Sequence, residues 1–294
     1  MTDSSYILLT AARNEADHIG QTIESVAAQT CPPRRWLIVS DGSTDATDQI
    51  VSDAAAKHPF IELLRVDADA ERNFGSKATA INEGYRRLSG EACGYIGILD
   101  ADVSFEPNYY EEVISRFQTD SKLGIAGGVL TDIVDGKPVR QLTDPDWSVS
   151  GPVQMFRREC FAEIGGYLPL RGGIDAAAEV MARMKGWTVR AFPEITALHH
   201  RQTGTENHSR TGIFFHRGLE DCRLGYHPLF FTARALLRFR ECPFFVGSLM
   251  MLCGYVWAAM TGSPKKVSPD FIRFFRQEQM GRLRSRLGYR KGAV

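Results

Sequence analysis

The stretch "YIGILDAD", residues 95–102, joins an apolar run to a pair of carboxylates. The apolar run predicts a buried strand, because such short runs are typical of strands covered on both faces. Residues two apart on an extended chain point the same way, so Asp100 and Asp102 leave the end of this strand together. Two like charges held this close repel each other. Some feature of the site must therefore offset the repulsion.

Three similar apolar runs precede this one and predict strands over residues 6–12, 35–41 and 60–66. Helices are predicted between them, over residues 15–29, 43–58 and 75–88, with Ser43 or Thr44 placed to cap the second helix. Strands that alternate with helices in this way are typical of a parallel sheet. The sequence therefore predicts an α/β fold with helices on both faces of the sheet.

Carboxylates follow three of the predicted strands, at Glu15, at Asp41 and Asp45, and at Asp100 and Asp102. A single acidic turn is usually a helix cap or an Asx-turn. Three of them at the carboxyl edge of one sheet instead favour a ligand site. Mg²⁺ and Mn²⁺ take carboxylate oxygens and complete their shells with phosphate and water. We therefore expect a divalent cation, Mn²⁺ or Mg²⁺, that carries a phosphorylated ligand.

Lys77, at the start of the third predicted helix, could contact a second phosphate or a ribose, or could be a solvated helix charge. Neither GxxxxGK[ST] nor GxGxxG occurs, so the phosphate is held neither by a P-loop nor by a dinucleotide fingerprint.

Composition adds bounds on the function and on the compartment. The 294 residues include 35 basic and 35 acidic side chains, which gives no indication of nucleic-acid binding. The charge is uneven, with 15 basic and 6 acidic residues from Thr205 onward against 20 and 29 before it. The six cysteines form no CxxC pair, so reduced thiols in the cytoplasm are expected, without a zinc site. The N-terminus resembles neither a signal peptide nor a transit peptide.

The chain resembles the inverting family 2 glycosyltransferases over about residues 6–202. The matching segments are "TAARNEADHIGQTIESVAAQ", "LIVSDGSTDATDQIV", "GSKATAINEG", "ILDADVSFEPNYYEEVI" with its DxD sequence, and "FRRECFAEIGGY". The resemblance implies a GT-A fold with a mostly parallel, Rossmann-like sheet. It also implies a nucleotide-diphosphate sugar as donor, with UDP as the family default.

The resemblance implies roles for individual residues as well. Asp41 would contact the base, Glu15 and Asp100 would lie near the nucleoside, and Asp102 would bind the metal ion. Members of the family often supply a late histidine to the metal, which here is His199 or His200. The pair could equally be structural, and adjacent strand residues face opposite ways, so one at most can reach the site. The full set of donor-binding candidates is Ala11, Arg13, Glu15, Asp41, Lys77, Asp100, Ala101, Asp102 and Arg201.

An inverting transfer needs a general base for the acceptor hydroxyl. The family pattern places this base at Asp175, eleven residues before Gly186, although Ile174 stands where the family usually has a glutamate. Glu179, one helical turn farther on, is the alternate base. A purely structural alternative is that Asp175 caps its helix.

The last part of the chain suggests a second region, so the predicted domains are a catalytic domain at 1–204 and a helical extension at 205–294. Residues 242–264 carry no charge and are numerous enough to cross a bilayer. Residues 270–291 predict a basic amphipathic helix, which favours an anionic membrane surface. The alternative is a helical subdomain packed on the catalytic body.

Together these features predict a metal-dependent inverting glycosyltransferase at the cytoplasmic face of the inner membrane. It would extend a lipid-linked saccharide in surface or exopolysaccharide biosynthesis. Two alternatives stay open: a polyprenyl-phosphate sugar synthase, and a nucleotidyltransferase or non-catalytic nucleotide-sugar binder.

Overall fold

The computed structural model describes residues 3–66, 76–134, 137–140, 146–200, 210–240 and 245–286. The chain divides into two compact units, unit 1 at Met1–Thr203 and unit 2 at Gly204–Val294.

Unit 1 is built on one sheet whose N-terminal strands are parallel. These strands are β1 (Tyr6–Ala12), β2 (Arg35–Asp41), β3 (Ile61–Val66) and β4 (Tyr95–Ile98), and they lie in the order β3-β2-β1-β4. Each is a nearly continuous apolar run, as expected for strands buried on both faces. Their carboxyl ends share one edge of the sheet, so the polar residues that follow them share it too.

The second half of the sheet mixes strand directions. It contains β5 (Val103–Phe105), β6 (Leu123–Val134), β7 (Lys137–Arg140), β8 (Met155–Arg157) and β9 (Thr188–His199). The order continues β4-β8-β6-β9-β5, with β7 paired to β6. Strand β8 is antiparallel to β4, whereas β9 is parallel to β6 and antiparallel to β5. The last pairing brings the end of β9 beside the residues that follow β4.

In the described part of unit 1, six helices cover the two faces of this sheet, so the predicted α/β fold is confirmed. Alternation along the strands directs Leu8 and Trp36 to one face and Leu9 and Leu37 to the other, and all four are fully buried. Burying each such side chain contributes about 1.5–3 kcal/mol. The first face carries α1 (Ile19–Ala27), α2 (Thr47–Lys57) and α4 (Tyr109–Thr119), and the second α3 (Ser76–Arg87), α5 (Arg158–Ile164) and α6 (Ile174–Met184).

The predicted cap of α2 is wrong. The helix begins at Thr47, and neither Ser43 nor Thr44 caps it. The Ser43 hydroxyl instead accepts from the Ser40 hydroxyl at 3.0 Å, and the Asp45 carboxylate accepts from the Thr47 amide at 3.0 Å. The segment before the helix is therefore fixed to neighbouring loops.

Unit 2 is a helical unit with a core of its own. Its helices are α7 (Arg210–Arg223), α8 (Pro228–Leu237), α9 (Val246–Met260) and α10 (Pro269–Arg286). Leu219, Phe231, Met251 and Tyr255 are buried together between α7, α8 and α9. Helices α7 and α9 are in close contact, because a Cβ at Gly254 would lie 2.0 Å from the Phe215 carbonyl oxygen.

Two sequence predictions for unit 2 are changed by these helices. Among the described residues, no helix has both the length and the apolar character needed to cross a bilayer. Helix α10 forms as predicted, but two aromatic residues of its apolar side, Phe271 and Phe275, are buried. Phe275 packs edge-on against Tyr226 at 4.8 Å between ring centroids. The apolar side of α10 therefore faces protein.

Candidate active site

The turns after β1 and β2 are locked together by Asn14. This residue has a left-handed backbone with φ of 55°, a conformation that asparagine tolerates better than most residues. Its side-chain oxygen accepts from the Thr44 amide at 2.8 Å, and its own amide donates to the Ser43 hydroxyl at 3.2 Å. The two strand ends therefore present one fixed rim.

Two acidic residues of this rim have different roles. Asp45 accepts from the Ala16 amide at 3.0 Å and from the Thr47 amide. Its carboxylate therefore stabilises the turn, as the acidic residue of an Asx-turn does. Glu15 donates its amide to the Thr47 hydroxyl at 2.7 Å and leaves its side chain partly exposed at the rim. Arg13 is exposed beside it, and Ala11 is half-buried at the end of β1.

Asp41, the last residue of β2, carries a buried oxygen that needs a partner. The residue is 8% exposed, and no donor among the described residues reaches its Oδ2 atom. An unsatisfied buried carboxylate oxygen is costly, so such atoms often mark a place where a ligand donates. Asp41 is therefore suited to accept an N–H group of a nucleobase.

Lys77 and Asp100 form an ion pair at the same edge. Both side chains are partly exposed, and the amide of Asp100 donates to the Pro152 carbonyl at 3.1 Å. The lysine is therefore directed to the strand end rather than into solvent, which favours the ligand-contact alternative.

Asp102 lies at one end of a chain of three side chains, with His199 at its centre. The residue is 7% exposed, its Oδ2 atom is 3.4 Å from His199 Nε2, and His199 Nδ1 is 2.9 Å from Asp132 Oδ1. Burial lowers the pKa of His199, but hydrogen bonds and charges from Asp102 and Asp132 outweigh it and raise this pKa to about 9. The register of β6 and β9 pairs Asp132 directly with His199.

Asp102 and His199 fit a divalent cation, although no group of three or more acidic, histidine or cysteine side chains suited to a metal occurs in the described part of the chain. Two neighbouring ligands of one octahedral Mg²⁺ lie roughly 3 Å apart, close to the observed separation of Oδ2 and Nε2. Such an ion would complete its shell with diphosphate oxygens and water. The ion would also take the place of the proton that lies between His199 Nε2 and the Asp102 carboxylate.

His200 faces away from Asp102, as the alternation along a strand requires. One ring nitrogen lies 2.7 Å from the Ser104 hydroxyl, and the ring stacks on His18 at 6.3 Å between centroids. Burial, followed by the electrostatic effect of the neighbouring His18 ring, lowers the pKa of His200. Of the two histidines, His199 is the one beside the metal candidate. Arg201 lies outside the described residues.

Asp175 lies in the first turn of α6, against the short 3-10 helix Gly151–Val153. The helix cap is Gly173, which has a φ of 70°, so the alternative in which Asp175 caps the helix is wrong. A Cβ at Gly151 would lie 3.1 Å from Asp175 Oδ2. The absence of a side chain at Gly151 therefore gives the carboxylate room.

Glu179 is 2% exposed and is held by the segment before the 3-10 helix. Its Oε1 atom accepts from the Val149 amide at 2.7 Å and from the Ser148 hydroxyl at 3.2 Å, and its Oε2 atom lies 3.6 Å from Arg183. Burial raises the pKa of Glu179 to about 7, against the lowering effects of Arg183 and these hydrogen bonds. The carboxyl is thus buried within the protein.

Tyr167 and Gln154 connect this region to the end of β4. The Tyr167 hydroxyl donates to Gln154 Oε1 at 2.5 Å, and Gln154 Nε2 lies 3.4 Å from Glu179. Burial, followed by the charges of Asp175, Asp100 and Glu179, raises the pKa of Tyr167 well above its ordinary value. The candidate base and the DxD sequence therefore lie around one buried tyrosine.

Sequence reasoning missed four residues that position the site. These are Asp132 beside His199, Gln154 and Tyr167 beneath α6, and Thr22, whose hydroxyl donates to the Ala101 carbonyl at 2.7 Å. Asp132 is a charged residue in a mostly apolar strand, which was a usable signal. The other three have side chains common in any core.

Comparison with known proteins identifies the family of the chain. The model of the family described as glycosyl transferase family 2 matches residues 8–171. A poly-β-1,6-N-acetyl-D-glucosamine synthase of Staphylococcus epidermidis is 34% identical over 120 residues, which are 41% of this chain and 27% of that protein. The Staphylococcus aureus (strain MSSA476) synthase is 32% identical over the same share of each chain. The chain thus spans about a quarter of the length of these relatives.

Solved structures share the fold. A mannosyltransferase, PcManGT from Pyrobaculum calidifontis in complex with GDP-Man and Mn²⁺, has a TM-score of 0.58 at 16% identity, over 99% of this chain and 90% of that one. Residues 1–349 of S. aureus TarS in complex with UDP-GlcNAc have a TM-score of 0.54 at 14% identity, over 95% and 80%. The fold is that of the GT-A glycosyltransferases. The family model covers more than half of the chain, and the chain therefore belongs to glycosyl transferase family 2.

Proposed function

We propose that the protein transfers a sugar, with inversion, from a nucleotide-diphosphate donor to a saccharide hydroxyl, and that the transfer depends on a divalent cation. The observation that carries this proposal is the buried Asp102–His199 pair, at the edge of the sheet where Asp41 has an unsatisfied oxygen. The Asp102–His199 pair suits a metal-bound diphosphate, and Asp41 suits the nucleobase of the donor.

The donor-binding residues have complementary roles in this proposal. Asp41 accepts from the base, and Lys77, which pairs with Asp100, is close enough to the rim to meet a phosphate. Asp102 and His199 hold the cation, which when bound offsets the negative charge of the departing diphosphate. Asp132 holds the His199 ring through Nδ1 so that Nε2 faces Asp102.

Asp175 is the proposed general base. The acceptor oxygen forms a bond to C1 of the sugar and its proton passes to the Asp175 carboxylate, while the bond from C1 to the phosphate oxygen breaks and the nucleoside diphosphate leaves. Glu179 is a weaker candidate, because its carboxyl is buried and is held by Val149 and Ser148. We assign it the positioning of Asp175 and of the Gly151 segment.

The donor and the acceptor are drawn from the relatives. A UDP-GlcNAc complex among the structural neighbours and the polysaccharide synthases among the relatives support a UDP-sugar and exopolysaccharide biosynthesis. A lipid-linked saccharide at the cytoplasmic face of a membrane is the proposed acceptor, since unit 2 carries the excess of basic residues.

The test is a donor screen with product analysis. Purified protein, Mn²⁺ and short β-linked saccharides are incubated with UDP-GlcNAc, UDP-Glc or GDP-Man, and nucleoside diphosphate release is measured. The expected result is release from one donor and an NMR coupling constant that shows inverted anomeric configuration. Retained configuration would contradict the inverting mechanism. Pyrophosphate release would indicate a nucleotidyltransferase, and donor binding without any release would indicate a non-catalytic binder.

A further inference from the structure

Helix α9 of unit 2 has one side covered by protein and one side exposed. Its exposed side chains recur at helical spacing, which makes them a single stripe along the whole helix. We call this stripe, with the residue before the helix, the α9 face; it consists of Phe245, Val246, Leu249, Cys253, Val256, Trp257 and Met260. All of its members are apolar or weakly polar, and Met260 is 82% exposed.

The α9 face cannot turn inward to be covered by unit 2. The opposite side of the helix is packed against α7 at glycine contacts, where a Cβ at Gly218 would lie 1.9 Å from the Met251 carbonyl oxygen. Met251 and Tyr255 are buried in the core on that side. The position of the helix is therefore fixed, and its stripe stays outside.

Helix α8 of the same unit also exposes apolar residues. Leu229, Leu236 and Leu237 of α8 are exposed as well, and Leu237 is 69% exposed. Monomeric proteins rarely expose large contiguous apolar patches, and such patches usually mark an interaction site. The question is which partner covers it.

The charges around the α9 face favour one partner. The described residues of 245–269 contain no acidic side chain, and the exposed Lys266 follows α9 in this stretch. A second copy of the chain would bring the same lysine against this one. An anionic lipid surface offers both an apolar layer for the stripe and opposite charge for Lys266.

We infer that the α9 face lies in the interfacial layer of an anionic membrane, with the helix axis parallel to the surface. Fifteen residues span roughly 22 Å, and the stripe runs along the full length rather than across one end. Phe245 and Trp257 supply aromatic rings, which are favoured at this depth. Membrane contact is thereby assigned to α9 instead of α10. This inference rests on the proposed function only for the biological purpose of the contact.

Vesicle flotation tests this assignment with the full chain. Vesicles of phosphatidylcholine alone are compared with vesicles that also contain phosphatidylglycerol. The wild type should float with the anionic vesicles, and Leu249→Glu with Met260→Glu should weaken this binding about tenfold or more. The matched control is Gln277→Glu with Ser285→Glu, two exposed positions of α10 with the same charge change, and it should lose much less.

Trp257 gives a second, independent measurement. Brominated lipids quench tryptophans that enter the acyl boundary, so they should quench the wild type more than Trp257→Phe. Equal flotation of the wild type and the Leu249/Met260 variant would overturn the assignment. So would a wild-type dimer that this variant breaks and that never floats, because the α9 face would then join two copies. Both measurements are independent of turnover, so their failure is distinct from failure of the proposed function.

Discussion

Asp102 and Glu179 are both buried carboxylates of unit 1, yet the groups that face them differ. Asp102 lies beside His199, whose pKa of about 9 makes it a cation at neutral pH. Glu179 is held by the Val149 amide and the Ser148 hydroxyl, and burial raises its pKa to about 7.

The difference teaches how burial should be interpreted in this site. A cation beside Asp102 stabilises negative charge at the rim, where a metal ion would take over the same task. Glu179 also has a cation beside it, Arg183 at 3.6 Å, but burial outweighs this charge, so Glu179 holds a proton part of the time near neutral pH and joins two segments of protein. The balance between burial and charged neighbours, rather than burial alone, separates a candidate ligand from a positioning residue.

Asp175→Asn should produce the largest effect. Turnover should fall about 10²- to 10⁴-fold, because no carboxylate is left to take the proton of the saccharide hydroxyl. Donor binding should stay unchanged. Nucleoside diphosphate release and calorimetry measure the two quantities. The control is Asp17→Asn, an exposed acid of the same unit. Unchanged turnover would instead favour a phosphate acceptor, which needs no base, and hence a polyprenyl-phosphate sugar synthase.

Glu179→Gln should change how stability depends on pH. Because the folded pKa of about 7 lies above the ordinary value of 4.5, the folded wild type binds more protons than the unfolded chain between these values. Its free energy of unfolding should therefore fall as pH rises through this window, by about 3 kcal/mol relative to the variant. Urea unfolding at pH 5 and pH 8 measures this. The exposed Glu24→Gln is the control. Equal pH dependence of the free energy of unfolding in Glu179→Gln and the wild type would refute the raised pKa of Glu179.

Asp132→Asn should produce the smallest of the three effects. Weaker support of the His199 ring should reduce metal-dependent nucleotide binding about 10- to 100-fold. The weak residual binding that calorimetry measures without Mn²⁺ should not change. Asp53→Asn, on the exposed side of α2, is the control. An equal loss with and without Mn²⁺ would mean that Asp132 supports the fold of the rim and not the metal ligand.

The N-terminal half of the fold was predictable because its signals are local. Strands β1 and β2 have the predicted bounds, 6–12 and 35–41, since parallel strands buried on both faces are continuous apolar runs. The pairing of β6 with β9 was not predictable, because it joins segments more than sixty residues apart. The charge of Asp132 in a mostly apolar strand was visible in the sequence, but its contact with His199 was not predictable for this reason.

The amphipathic pattern of α10 illustrates a different limit. The helix was predicted, but a pattern only shows that one side is apolar and does not identify what covers that side. Phe271 and Phe275 are covered by unit 2, whereas the α9 face, in a segment that read as uniformly apolar, is exposed. For the candidate site, the strand-end carboxylates were predictable individually, and the locking of two strand-end turns by Asn14 was not.

Calorimetric titration of UDP, GDP and dTDP, each with and without Mn²⁺, tests most directly whether the strand ends hold a metal-bound nucleotide diphosphate. The titrations are made on the wild type and on Asp102→Ala, with circular dichroism to verify the fold of both. The expected result is tight binding of one nucleotide that requires Mn²⁺ and is lost in the variant. Binding that is independent of Mn²⁺ and equal in both proteins, or no binding by a folded wild type, would contradict the proposed site.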